Sequence, residues 1–324
     1  MRLPVRTGSI AMLAFAIAAL GPRAGADEVF PDHVVKIVLP TASGSTTDTL
    51  ARLVADRLSQ TWSQPVIIEN VAGGAMNTGA TRVARAAPDG YTLMIAPPSP
   101  LTINDLLYHD LAYDPHKFVP VAMLAKIPNA LVVRNDLPAG SVADMIGYAK
   151  ANPGKLTFGS QGVGSTAHLS GSQLEVLAGI KMVHVPYHGA VPALNDVMAG
   201  RIDMFFDTLT TSVPLWRGGK LRILAVASPE RAPAVPELPT VAESGVPGFR
   251  SITWFALVAP PGTPAAIVEK VNRDTNAALR DLADKLAAIR LEPMPGSTED
   301  AARFIADETA LWGKVIAQAH ITLP

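Results

Sequence analysis

The 324-residue chain reads as an α/β protein of two domains, each built on a mixed, mainly parallel sheet. Three observations predict this. Short apolar runs alternate with helical stretches, the order that builds parallel sheets. The length is enough for two cores. A loop of small and hydroxyl residues that runs into a helix start occurs once in each half, at Pro40–Asp48 and at Ser160–Thr166. The expected division is a leader over 1–26, a first domain from 27–125 and 240–324, and a second domain over 126–239. The crossings fall near Lys126-Ile127-Pro128-Asn129 and in the proline-rich stretch Pro229–Pro247.

The leader is read from Arg2 and Arg6, the apolar run Ile10–Leu20, the breaker Gly21-Pro22 and the small-x-small site Ala24-Gly25-Ala26. Its apolar run is shorter than the ~20 residues that span a bilayer. A secretory signal cleaved after Ala26, and hence a soluble periplasmic protein, is expected.

The first unit opens with the strand Val34–Leu39, the loop Pro40–Asp48 and a helix with Leu50, Leu53, Val54 and Leu58 on one face. Gly44 frees the turn, and Ser45 or Thr46 caps the helix. A second strand, Pro65–Asn70, leads to the small-residue loop Gly73–Gly79. A third, Tyr91–Ala96, leads to Pro97-Pro98-Ser99-Pro100. All three loops lie at the carboxyl ends of strands, where ligands of such sheets bind.

Val119–Leu124 and Ala130–Arg134 read as two strands. Beyond them Ser141 caps a helix, and Leu156–Gly159 is a strand. Ser160-Gln161-Gly162-Val163-Gly164-Ser165-Thr166 is the second cation-free loop, followed by a helix from Ala167. The strand Met182–Tyr187 precedes His188-Gly189-Ala190, and Ile202–Asp207 places Asp207 at a strand end. Leu221–Ala227 and Ile252–Val258 are further strands. Thr263 with Pro264 starts one helix, and Ser297-Thr298-Glu299-Asp300 starts the last as a capping box.

Free N–H groups at a helix start, ringed by hydroxyls, suit the oxygens of an anion. Two such loops, one per half, could face each other across a cleft. The formal net charge of −1 offers no basic field for nucleic acid. The absence of cysteine excludes disulfides, thiolate catalysis and cysteine-ligated zinc.

Gly162-Val163-Gly164-Ser165-Thr166-Ala167 matches a dinucleotide pattern, but the next strand ends in Tyr187-His188 and lacks the ribose-binding acid. No cofactor is expected. His184 and His188 share a strand face without further metal ligands nearby, so no metal is expected either. His168 is read as either a ligand contact or a capping group, Tyr187 as a cleft hydroxyl or a half-buried aromatic, and Asp207 as a ligand partner or a turn cap. An exported esterase or amidase using Ser165 with His168 is the competing reading. An accessory of a signalling system is a third, using the same ligand and the same closure.

The chain resembles the substrate-binding receptors of tripartite tricarboxylate transporters, the Bug receptors. The resemblance runs from Phe30-Pro31 to the last helix. It is carried by Pro40–Asp48, Glu69-Asn70 with the Gly73 loop, Pro88–Leu93, Ser160–His168 and Val185–Gly189. It continues in Pro192-Ala193-Leu194, Gly200–Asp203, Leu238–Gly245 and Ala259–Pro264. It implies a type II periplasmic binding protein, a two-domain flytrap, that closes on a small carboxylate and hands it to a membrane permease. It implies no catalysis, and a monomer is expected. It also implies that the loops matching Ser43-Gly44-Ser45 and Gly162–Thr166 hold the ligand carboxylate. The expected ligand-binding set in the first domain is Ser43, Gly44, Ser45, Asp48 and Ser99. In the second it is Ser160, Gly162, Gly164, Ser165, Thr166, His168, Tyr187, Gly189 and Asp207. Ser45 and Met76 stand where the family usually has glycine, His188 where lysine is common, and Leu101 in a region often polar. These departures predict a carboxylate ligand with an apolar or aromatic body.

Overall fold

The computed structural model describes residues 30–322, so the leader expected over 1–26 lies outside the described residues. The first unit runs β1 (Val35–Leu39), α1 (Thr46–Trp62), β2 (Val66–Asn70), α2 (Asn77–Ala84) and β3 (Thr92–Ala96). β1 is parallel to both β2 and β3. Only Lys36 of β1 is exposed, as suits a strand covered on both faces. α1 buries Leu50, Ala51, Val54 and Leu58, whose three- and four-residue spacing puts them on one stripe. After β3 come a buried turn, Ser99–Ile103, and the short α3 (Asn104–Leu107).

β4 (Val119–Val133) corrects an expectation. The two strands read on either side of Lys126–Asn129 are one strand of 15 residues. Its ladder with β9 (Ile252–Ala259) continues through the supposed break, from Val119 opposite Ala259 to Pro128 opposite Ile252. A proline interrupts a helix, but in a ladder it removes one donor, and Pro128 sits at the last rung.

The second unit comprises α4 (Val142–Ala151), β5 (Thr157–Ser160), α5 (Thr166–Ala178), β6 (Val183–Pro186), α6 (Ala190–Met198), β7 (Met204–Thr208), α7 (Leu209–Arg217) and β8 (Arg222–Val226). β5 is parallel to β6 and β7. β7 and β8 pair antiparallel with the far half of β4. After β9 the chain adds α8 (Ala265–Asp281), α9 (Ala283–Ala288), β10 (Glu292–Pro293) and α10 (Thr298–Ala319).

The resulting sheet has 10 strands, in the order β2-β1-β3-β9-β4-β7-β5-β6, with β8 and β10 also on β4. Each half is mixed: a parallel flank from its own β/α units and an antiparallel centre from β4 and β9. The expected crossing at 126 falls inside β4. The segment after 240 stays on the second half, where Val241 N–H donates to Val226 O and Ser251 N–H to Ala227 O. The chain between 240 and Ser251 is thus hydrogen-bonded to the end of β8.

Ser297 and Asp300 form the expected capping box of α10. Thr263 does not cap α8: its hydroxyl donates to Pro260 O inside the proline turn, and Pro264 takes the cap position. α10 packs Trp312, Val315 and Ile316 with Ile103 and Leu107 of the first half and Leu169 of α5, joining both halves beside the sheet. Among the described residues, no helix is long and apolar enough to cross a membrane.

Candidate ligand cleft at two matched helix starts

α1 and α5 begin in the same way. Gly44 and Gly164 turn the chain at φ +81° and +79°. Ser45 and Ser165 follow as N-caps, at φ −72°, ψ 165° and φ −72°, ψ 158°. Each serine oxygen accepts the amide three residues on, from Asp48 at 3.2 Å and from His168 at 3.4 Å. The side chain of that third helical residue then reaches back. Gly44 N–H donates to Asp48 Oδ2 at 3.0 Å, and Gly164 N–H donates to His168 Nδ1 at 3.2 Å. The segments Gly44-Ser45-Thr46 and Gly164-Ser165-Thr166 are identical in sequence as well as matched in conformation.

This closure leaves the first two helical amides of each helix, Thr46 and Thr47 in α1 and Thr166 and Ala167 in α5, without intrahelical carbonyls. The first intrahelical donors are Thr49, to Ser45 O, and Leu169, to Ser165 O. Each loop thus presents a pair of amides at the positive end of a helix dipole.

The two locks differ in charge. Burial alone would raise the Asp48 carboxyl. Bonds from Arg52, Gly44 and Asn70 outweigh that and hold it at about 2. Burial, and then the neighbouring His184, push His168 down to about 3, and burial pushes His184 to about 4. At neutral pH the second loop is therefore closed by an uncharged imidazole. The two imidazoles stack with centroids 3.9 Å apart, and His184 stacks in turn on Phe158 at 4.9 Å.

The remaining expected site residues divide. Ser160 is fully buried; its hydroxyl bonds His184 Nε2 at 2.7 Å and accepts Gly162 N–H at 3.1 Å, so it shapes the loop. Tyr187 N–H donates to Ser160 O, while its hydroxyl donates to Asp196 Oδ2 at 2.7 Å. Gly189 starts α6 at φ +117° without a side-chain cap. Ser43 is exposed, and its hydroxyl leans on Asp48 at 3.4 Å. Asp48, Ser99 and Asp207 are all buried. Asp48 is consumed by Ser43, Gly44, Arg52 and Asn70. Asp207 accepts from Thr211 at 2.5 Å, and burial raises it to about 7. Both Asp48 oxygens are bonded, Oδ1 by Arg52 and Asn70 and Oδ2 by Arg52 and Gly44. Leu101 is 3% exposed and packs in the core with Val38, Met94 and Trp254, so it adds no apolar ligand surface. Ser165 and His168 do not form a nucleophile and base. The Ser165 hydroxyl donates to Gly162 O at 2.7 Å, and the His168 ring is held by Gly164.

Three loops of the first half are tied together. Asn70 Nδ2 bonds Thr41 O and Asp48 Oδ1. Gly79 packs so closely on Pro40 that an added Cβ would lie 2.9 Å from its Cα. The left-handed residues Gly74, Ala75 and Met76 are held by Asn104, which donates to Ala75 O at 2.9 Å and Asn77 Oδ1 at 2.6 Å. Asn104 opens α3. The last residue of α3, Leu107, sits where a Cβ on Gly164 would come within 2.9 Å of its Cδ1. The first half therefore reaches the second at the turn of the second loop.

Arg52 and Asn104 are absent from the sequence reading, and Asn70 enters it only within the Glu69-Asn70 segment, not as a site residue. Asn70 and Asn104 act on loops distant in the chain, which no local pattern shows, whereas Arg52 reaches back only four residues to Asp48. The shared offset of Asp48 and His168 from Gly44 and Gly164 was visible. Among the described residues, a cavity of about 390 Å³ among Met294, Phe304, Asp300 and Arg303 and one of about 160 Å³ between α5 and α10 lie elsewhere. Among the described residues, no group of three metal-ligating side chains occurs.

Comparison with known proteins bears on this geometry. A family described as the tripartite tricarboxylate transporter family receptor matches residues 50–321. Rpa4515 of R. palustris, solved with adipate, is 41% identical, with a TM-score of 0.85 over 90% of this chain and 99% of its own. MatC from Rhodopseudomonas palustris, solved with bound malate, is 34% identical, with a TM-score of 0.79 over 89% and 100%. The periplasmic binding protein BugD is 29% identical, with a TM-score of 0.81 over 90% and 99%. The architecture expected from the sequence, the two-domain type II fold, is the one these neighbours share.

Proposed function

Since the chain belongs to the tripartite tricarboxylate transporter receptor family, we propose that it is a periplasmic, non-catalytic receptor that captures a small dicarboxylate between its two halves. It delivers that acid to a membrane permease. The observation that carries this reading is the duplication of the Gly-Ser-Thr helix start. Each copy supplies uncharged donors to carboxylate oxygens, and each belongs to a different half of the molecule. Adipate and malate in the similar proteins fit the same chemistry.

The site residues on this reading are the amides of Thr46, Thr47, Thr166 and Ala167 with the hydroxyls of Ser43 and Thr166. Asp48, His168 and Ser160 hold the loops, and Asp207 supports the sheet beneath. An aliphatic body suits the ligand, with Met76, half-buried on the strained turn beside the first loop, as the apolar wall. Contact with both halves stabilises the closed state and shifts an open–closed equilibrium.

The test is a thermal-shift and calorimetric screen of adipate, malate, citrate and benzoate on the chain from Asp27. A true ligand adds about 2.7 kcal/mol of stability at a hundredfold excess over Kd. Ser45→Asp is expected to remove the response by placing a like charge against the carboxylate, and Gly164→Asp by a like charge or by a clash, since its Cβ meets Leu107. A full response in both variants would locate the pocket elsewhere.

A further inference from the structure

Where β4 and β9 pass between the halves, a line of buried polar groups runs from the crossing to the second loop. Asn129 of β4 and Ser251, just before β9, lie side by side, 3% and 0% exposed. Both are stitched to the end of β8: Ala227 N–H donates to Asn129 O, and Ser251 N–H donates to Ala227 O, each at 2.7 Å. Asn129 Nδ2 donates to Ser251 Oγ at 2.8 Å, and Asn129 Oδ1 accepts from the Thr253 hydroxyl at 3.0 Å. Ser251 Oγ meets Ser170 Oγ of α5 at 2.6 Å, and Ser170 is also fully buried. Ser170 Oγ lies 2.6 Å from the carbonyl oxygen of Thr166.

Hydroxyl valence gives this line a direction. A serine has one hydroxyl hydrogen. Thr166 O can only accept, so the Ser170 hydrogen is spent there. The hydrogen between the two serines then comes from Ser251, whose oxygen accepts the Asn129 amide. Donation runs in one sense: Asn129 N–H to Ser251, Ser251 O–H to Ser170, Ser170 O–H to Thr166 C=O. Aligned donors of this kind polarise one another. The peptide unit at the end of the line consists of Thr166 C=O and Ala167 N–H, and that N–H is one of the two free amides of the second loop. One turn further on, α5 is held again, where Arg250 N–H donates to Gln173 Oε1 at 3.3 Å.

We propose that Ser251 and Ser170 are positioning residues that fix the free amides of α5 to the β4–β9 crossing. The second anion loop then moves with the hinge, and ligand binding and closure become one event. This rests on the functional reading above, which supplies the ligand. A hydroxyl-rich chain inside an otherwise apolar core is costly unless fully satisfied. Here every member is satisfied, and the chain ends at the ligand-facing peptide.

The chain has no cysteine, so paired spin labels at Gln60→Cys and Lys155→Cys, both exposed and one on each half, report the interlobe distance cleanly. Adipate affinity is measured in the same protein by calorimetry. Ser251→Ala is expected to broaden the ligand-free distance distribution and weaken adipate about tenfold. Ser170→Ala is expected to do the same, with the double variant no weaker than either single one. Ser251→Thr, which keeps the hydroxyl, is expected to retain wild-type behaviour. If Ser251→Ala fails to fold, Ser170→Ala carries the comparison. Wild-type distances in folded alanine variants, or losses that add in the double variant, overturn the proposal. Failure of wild-type protein to bind adipate counts against the functional reading instead. The ligand-free distances then decide the positioning role alone, broadening supporting it and no change refuting it.

Discussion

Gly44 and Gly164 share a backbone conformation but not a neighbourhood. A Cβ at Gly44 would meet nothing within 4 Å, whereas one at Gly164 would lie 2.9 Å from Leu107 Cδ1. Both sit at positive φ, where a side chain costs about 1–2 kcal/mol. Gly44→Ala is therefore expected to lose that much stability in urea denaturation. Gly164→Ala is expected to lose of order 1 kcal/mol more, because Leu107 must shift. Equal losses would mean the halves do not meet at that point. The need for glycine at both positions is legible in the sequence, because each glycine precedes a capping serine. Leu107 is not, since 57 positions separate it from Gly164 and nothing local couples them. Leu101 and Asp207 show the same limit. A loop leucine and a strand-end acid look available until the packing of other elements buries them.

At the scale of elements, α1 and α5 carry the same start with different locks, and pH separates them. Asp48 is held at about 2, below its ordinary 3.8, so its contribution is present above 3.8 and is lost as pH falls toward 2. His168 is held at about 3, below 6.5, so its contribution is complete above 6.5 and is lost as pH falls from 6.5 toward 3. Asp207 works in the opposite sense. Raised to about 7, it contributes fully below 3.8, and that contribution is lost as pH rises through 7. His168→Asn supplies an amide oxygen in place of Nδ1 and does not titrate. The stability gap between wild type and this variant is expected to shrink between pH 7 and pH 4, read by urea denaturation at each pH. A gap that stays constant would show that His168 does not act through its neutral form. The caps at Ser45, Ser141 and Ser297 followed from local pattern. The continuity of β4 did not, because Pro128 looks like a break until its partner β9, far along the chain, supplies the ladder.

For the molecule as a whole, the sheet is what joins the two halves. β4 and β9 carry the ladder from one half to the other. α10 spans the same junction from the side, where Glu308 takes both Arg250 and Trp254 Nε1. Each half contributes one copy of the amide-bearing loop, so a guest that satisfies both must be held between them. The β/α alternation made the two halves legible in the sequence, and the repeated Gly-Ser-Thr start of α1 and α5 was legible there too. The identity of the guest depends on the distance and angle between the loops, which no local pattern encodes. The most direct measurement is a crystal structure of the protein grown with adipate. The account predicts carboxylate oxygens within about 3 Å of the Thr46 or Thr47 amides and of the Thr166 or Ala167 amides in the same molecule. Adipate bound to one half alone, or seated in the cavity beside Phe304 and Arg303, would contradict it.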